Sequence, residues 1–253
     1  MMRAEQGVLL PMTVKPVGQG VTGAQHATVH IAGVAHRCIV KKVGDREIAA
    51  ECFCAILGAR LSLPTLIPIV VTDPTDQSFW FGARNIGYPN LATQIGFANK
   101  KITRSQLLIL TNILSKWVQI GSAISFDELI SNGDRNPGNV LWNGTVFTLI
   151  DHEKAAGNFP MDLNKLAYFA TQQMKEPQIS TILHGTTAAA MSQQAMMNAG
   201  ENILSEIGTE FKNLPPSISR YFSDFQVLVE SNVPSLVASA SNAVSPLFAG
   251  EKK

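Results

Sequence analysis

Three oxygen-bearing side chains carry the chemistry that can be read from this sequence: Asp134, Asn139 five residues later, and Asp151. The first two stand in Asn132-Gly133-Asp134-Arg135-Asn136-Pro137-Gly138-Asn139, the third in Asp151-His152-Glu153. Gly and Pro punctuate the first stretch, so Asp134 belongs to a loop that follows the segment Phe126–Ile130. Between them, Val140–Trp142 and Thr145–Ile150 flank Asn143-Gly144, the strongest short hairpin signal. A two-residue turn there sets Asn139 opposite Thr148 and leaves Asp151 only three residues on, about 10 Å along the strand. An amide oxygen and a carboxylate then reach one end of one hairpin, beside a loop carboxylate. Hard oxygen ligands of that kind suit Mg²⁺, which takes one or two protein ligands together with substrate phosphates. The Asp-to-Asn spacing alone is weak, because Asp127 and Asn132 share it at what reads as a helix end. The lesser alternative is that Asp134 and Asn139 are ordinary loop caps, a role both residue types favour. The hairpin that ends in an acid sets the second pair apart.

The elements that must hold these residues change character along the chain. An extended piece at Met12–Val17 leads through Gly18-Gln19-Gly20-Val21-Thr22-Gly23 to strands at Ala27–Ile31 and His36–Lys41, with a turn at Gly33. From Asp45, a plausible N-cap, the period becomes helical, and Ile48, Cys52, Ala55, Ile56 and Ala59 share a face. Strands follow at Ile69–Val71 and Ser78–Arg84. Beyond Tyr88 the chain is mainly helical: an amphipathic helix over 105–120, then helices over 162–221 broken by Pro177, Gly185 and Pro215-Pro216. This predicts an α+β chain with a β-rich lobe over 1–86 and a helical lobe over 87–253, the last part, 231–253, being loosely held.

Composition narrows the class. Apolar residues make up 45% of the 253 and charged ones 15%, which excludes disorder. Twenty basic against nineteen acidic residues give +1, so no global field draws the chain to nucleic acid or to an anionic membrane. Cys38, Cys52 and Cys54 cannot build a disulfide framework and read as buried thiols of a reducing cytoplasm. The histidines show no zinc-ligand spacing. No secretory signal or membrane span is expected, which points to a cytoplasmic location.

The loop and hairpin resemble the catalytic and metal loops of protein-kinase-like folds. Asp134-Arg135 with Asn139, and Leu149-Ile150-Asp151-His152, are similar to those of the bacterial HipA-like kinases. Upstream, Ala49-Ala50-Glu51 running into Leu61-Ser62-Leu63-Pro64 is similar as well, and the resemblance spans residues 15–170. Asn136 stands where many such loops carry His, and His152-Glu153 replaces the Phe-Gly of eukaryotic protein kinases, so a Phe-based switch does not carry over.

The resemblance implies a two-lobed protein-kinase-like fold and an ATP- and Mg²⁺-dependent phosphotransferase, with Mn²⁺ as an alternative ion. Asp134 and Arg135 would be catalytic, the first as base, the second ordering the loop or steadying the transferring group. Asn139 and Asp151 would hold the metal. Lys41 would neutralise nucleotide phosphates, with Lys42 as its competitor, and Glu51 would pair with it, with Glu47 as competitor. Gly18 and Gly20 would let backbone approach the phosphates, and Phe81-Gly82-Ala83 would read adenine. The acceptor it implies is Ser or Thr of a protein or of the chain itself, and such kinases include toxins restrained by an antitoxin-type protein on a separate chain. The rival readings are a small-molecule kinase of the aminoglycoside or choline type and a nucleotide-binding pseudokinase serving as an interaction module.

Overall fold

The computed structural model describes residues 2–17, 23–97, 102–155, 163–199 and 203–244. Its first elements are β1 (Glu5–Leu9), β2 (Lys15–Pro16), β3 (Gln25–Ile31), β4 (Val34–Lys41), α1 (Asp45–Arg60), β5 (Pro68–Thr72) and β6 (Phe79–Arg84). Next come α2 (Leu91–Gln94), α3 (Arg104–Ser115), α4 (Ile120–Leu129), β7 (Val140–Trp142) and β8 (Phe147–Leu149). The last are α5 (Lys165–Thr171), α6 (Glu176–Asn198), α7 (Ile203–Phe211), α8 (Pro216–Ser219), α9 (Phe222–Asn232) and α10 (Leu236–Val244). They fall into two compact units. One holds the chain up to Tyr88 with Thr148–Glu153 and Ile203–Phe225, the other Pro89–Phe147, Lys154–Asn202 and the chain from Gln226. The first crossing lies beside the expected 86/87 boundary, but the chain returns twice, so 148–153 and 203–225 do not belong with the helical half.

In the first unit the strand order is β1-β5-β6-β4-β3-β2, and β1 also pairs with β3, so five strands close into a ring. β1 runs parallel to β5 and the remaining pairs are antiparallel. Alternation along β3 buries Ala27, Val29 and Ile31, which meet Leu9, Val40, Ile69, Val71 and Trp80 in one core. Gly7 and Gly82 are required where walls approach: a Cβ would sit 2.5 Å from Val29 Cγ1 at the first and 2.8 Å from Val71 Cγ2 at the second. β1 has no counterpart among the sequence expectations, and a short turn at Pro11–Thr13 takes the first two residues of the extended piece expected at Met12–Val17, of which Val14 is extended and Lys15–Pro16 form β2.

Gly44, not Asp45, caps α1; Asp45 and Glu47 fill its first turn, where carboxylates suit the helix dipole. Rather than one apolar face, every residue from Ile48 to Gly58 is buried. Phe53 meets the rings of Phe211, Phe222 and Phe225 at 6.2, 6.1 and 5.4 Å, which binds 203–225 to this unit.

In the second unit the helix expected over 105–120 ends at Ser115, and a separate helix starting at Ile120 runs at 96° to it. Leu110, Leu114 and Trp117 are buried, whereas Leu108 and Val118 face solvent. α4 packs on α6 and α10. Gly185 does not break α6, and Pro177 sits in its first turn, where a missing N–H costs nothing. The tail expected to be loose is partly ordered, since α10 buries Leu236, Ala240 and Val244; residues 245–253 lie outside the described residues. Among the described residues no single helix is long and apolar enough to cross a membrane.

The hairpin forms with a longer connection than expected. Asn143 donates its N–H to Val146 O at 3.3 Å, and its side-chain oxygen accepts from the N–H groups of Thr145 and Val146. Four residues, not two, therefore link β7 to β8. The register that set Asn139 opposite Thr148 is lost with them, and Asn139 instead ends a short 3₁₀ turn before β7.

Candidate nucleotide and metal site

Lys41, at the end of β4, is buried, and its ammonium stands among three carboxylates. Nζ lies 2.8 Å from Asp151 Oδ1, 3.5 Å from Glu153 Oε2 and 3.9 Å from Glu51 Oε1. Strand alternation sends its competitor Lys42 outward, where it bonds Asp76 at 3.0 Å and lies over the Trp80 ring. Glu51, in the buried middle of α1, is the helix acid that reaches Lys41; Glu47 folds back against Gly44. Asp151 has φ +63°, left-handed backbone that Asp tolerates better than most side chains and that gathers at functional sites.

One ammonium against three carboxylates leaves an excess of negative charge. Ligand atoms of Glu51, Asp151 and Glu153 all lie within 4.8 Å of one another. Like charges about 4 Å apart repel by roughly 4 kcal/mol at an effective dielectric near 20. The electrostatics of the individual groups reflect this. Burial would lower the Lys41 pKa, but the charges of Glu51, Asp151 and Glu153 overcome it and hold the ammonium well above its ordinary value. Burial pushes the Glu153 carboxyl up, and the neighbouring Asp151 and Glu51 charges add to that push against Lys41. A clustered all-oxygen set with charge to spare fits a hard divalent cation such as Mg²⁺ or Mn²⁺.

The loop that carries Asp134 belongs to the second unit. Asn139 donates its side-chain N–H to the Asp134 backbone oxygen at 2.9 Å, so its amide oxygen is left as the acceptor. Asp134 Oδ1 accepts from Lys165 Nζ at 2.8 Å, and Oδ2 lies 3.4 Å from Lys154 Nζ. Burial would raise its pKa, but the Lys165 hydrogen bond and the two lysine charges hold the carboxyl below the ordinary range. Arg135 is fully buried, paired with Asp127 at 3.0 Å and donating to the Asn139 backbone oxygen at 3.3 Å. Asn132 also donates to Asp127, at 3.1 Å. Asp127 and Asn132, the pair with the same spacing, thus brace the loop from beneath.

The structure therefore brings Lys41, Glu51 and Asp151 together in one unit, and Asp134, Arg135 and Asn139 in the other. It corrects two expectations. Arg135, 0% exposed, orders the loop and is too deeply buried to touch a transferring group. Phe81-Gly82-Ala83 cannot offer free backbone to adenine, because β6 pairs with β4 on one side and β5 on the other. Gly18 and Gly20 lie outside the described residues. Sequence reading missed His152, Glu153, Lys154 and Lys165. Lys165 alone left a local signal: a cation at the first position of a helix opposes the dipole there.

No protein-family model matches the sequence, and neither does any curated protein. Solved structures do. A Helicobacter pylori proinflammatory kinase, CtkA, superposes with a TM-score of 0.57 at 10% identity, over 92% of this chain and 95% of that one. WaaP, solved in complex with acyl carrier protein, gives a TM-score of 0.42 at 11% identity, over 89% and 90%. The first likeness shows the fold: this chain has a protein-kinase-like α+β fold, β-rich toward its N-terminus and helical toward its C-terminus.

Proposed function

We propose that this protein is an ATP- and Mg²⁺-dependent phosphotransferase of HipA-like type, acting on a Ser or Thr hydroxyl of a protein or of itself. The observation that carries it is the buried Lys41 ammonium 2.8 Å from Asp151, inside a carboxylate cluster that one lysine does not neutralise. Lys41 neutralises nucleotide phosphate, Asp151 and the amide oxygen of Asn139 serve as metal ligands, and Asp134 orients the acceptor hydroxyl. That hydroxyl oxygen attacks the γ-phosphorus, the bond to the β–γ bridging oxygen breaks, ADP leaves, and the proton passes to the Asp134 carboxylate. The bound ion supplies charge neutralisation along the triphosphate. The protein's share is positioning and electrostatics.

Two lysines beside Asp134 suit a protein acceptor better than a cationic amino sugar or choline, which they would repel. A second reading has its own support. Both Asp134 oxygens face lysines, as they would in a nucleotide-binding pseudokinase that serves as an interaction module. Incubation with ATP and Mg²⁺ or Mn²⁺, followed by intact mass, separates the two. An added unit of ~80 Da, one phosphoryl group, is expected. Asp134→Ala should cut transfer by about 10²–10⁴ and leave nucleotide affinity nearly unchanged. Nucleotide binding without transfer to any protein or small alcohol would favour the pseudokinase.

A further inference from the structure

Asp134 is held by two cations from different parts of the second unit. Lys165 Nζ donates to its Oδ1 at 2.8 Å, and Lys154 Nζ lies 3.4 Å from Oδ2. The lysine side chains are 40% and 38% exposed, so a molecule bound at Asp134 can reach both. An ammonium has three N–H donors. Lys165 spends one on Asp134, and no other residue among the described ones takes the remaining two. Its anchorage is firm. Asn164, 3% exposed, caps α5 by accepting the Ala167 N–H at 3.0 Å, and donates to Ile124 O at 3.1 Å and Glu128 Oε1 at 3.0 Å. Lys165 therefore stands at a helix start fixed on α4, with donors to spare beside the carboxylate that receives the acceptor's proton.

That proton changes the charge count. Before transfer, two ammonium groups face the one Asp134 carboxylate; once Asp134 takes the hydroxyl proton, that counter-charge is gone. An acceptor that brings its own negative charge restores it, so this contact is stronger in the transition state than in the ground state. A hydroxyl bonded to Asp134 Oδ1 lies within roughly 5.5 Å of Lys165 Nζ, the sum of two hydrogen-bond lengths. A side chain one or two residues from the acceptor covers that span.

We propose that the acceptor is an acidic protein segment, a Ser or Thr with Asp or Glu within two residues of it, whose carboxylate is recognised by Lys165 with Lys154 beside it. The inference deepens the phosphotransferase reading and rests on it in placing the acceptor hydroxyl at Asp134.

The full-length chain, with ATP and Mg²⁺, is given three peptides that differ only in the residues flanking a single Ser: Glu, Gln or Lys. Phosphopeptide is read by mass. The Glu peptide should exceed the Gln peptide in kcat/KM by about fivefold or more, with part of the gain in kcat, and the Lys peptide should fall below both. In Lys165→Met the Glu-to-Gln ratio should drop below about twofold whatever the absolute rate, and Lys165→Arg, which keeps the charge, should retain it. Where the Met variant turns over too slowly, fluorescence anisotropy of the labelled peptides with a non-hydrolysable ATP analogue reads the same ratio as affinity. Equal use of the Glu and Gln peptides by the parent, or a ratio unchanged in Lys165→Met, would overturn the inference. So would transfer to the chain itself at a Ser or Thr with no acid within two residues. A parent that transfers phosphoryl to no peptide and not to itself would contradict the protein-phosphotransferase reading, and the inference with it.

Discussion

Lys165 opens a short helix at a position where a cation opposes the dipole, and its compensation is the Asp134 carboxylate 2.8 Å away. Replacing it by Met should lower kcat and leave the KM for ATP within about twofold, because the loss falls on the orientation of Asp134. The pH dependence has a definite sign. Asp134 has its folded-state pKa depressed below 3.8, so its contribution to stability is present above that pH and is lost as pH falls through the folded value. Lys165→Met should therefore move the acid-unfolding midpoint upward, as a circular dichroism titration can show. Glu153 runs the other way. Its carboxyl is raised above 4.5, so its ionisation destabilises the fold, and the cost grows as pH rises from 4.5 through the folded value. Glu153→Gln should raise Tm at pH 7 and lose that gain toward pH 4; a Tm lowered at pH 7 would show that its pairing with Lys41 outweighs the crowding. Asp134, Asn139 and Asp151 stand out in the sequence because Gly, Pro and a hairpin punctuate them. Glu153 and Lys154 do not, because an acid and a lysine after a strand are ordinary surface residues until the fold buries the first and sets the second beside Asp134.

Elements show the same division. The strands from β3 to β6 and the helix α1 are visible as local periodicity, and the hairpin as Asn143-Gly144. β1 is not, since its partners β3 and β5 lie far along the chain and five residues with a central Gly carry little pattern. The hairpin connection is longer than Asn143-Gly144 implies because Asn143 closes an Asx-type turn on Thr145 and Val146, which only the hydrogen bonds reveal. Gly185 carries a local helix-breaking signal yet lies inside α6, because a residue's own propensity does not register what crosses its helix. That crossing offers a paired test. A Cβ at Gly121 would lie 2.7 Å from the backbone of Gly185 and Thr186, which cannot step aside, whereas a Cβ at Gly185 meets open space. Gly121→Ala should destabilise by about 1–3 kcal/mol despite better helix propensity. Gly185→Ala should stabilise by about 0.5–1 kcal/mol. Urea unfolding of both variants checks the pair, and equal signs would contradict the packing described.

For the whole molecule, class was legible and route was not. Composition and the strand-to-helix shift gave an α+β chain, and the fold is protein-kinase-like. The return of 148–153 and 203–225 to the β-rich unit depends on Phe53 meeting three distant rings and on Lys41 meeting Asp151, contacts without local signature. That return sets the acid after the hairpin beside the strand lysine, and the proposed chemistry depends on it. The most direct test is a calorimetric titration of the parent and of Asp151→Ala with ATP, each with and without Mg²⁺. The expected result is that Mg²⁺ tightens ATP binding to the parent by about tenfold or more and leaves Asp151→Ala unaffected. An Asp151→Ala chain that keeps the parent's full Mg²⁺ dependence would contradict the assignment of this cluster as the metal and triphosphate site.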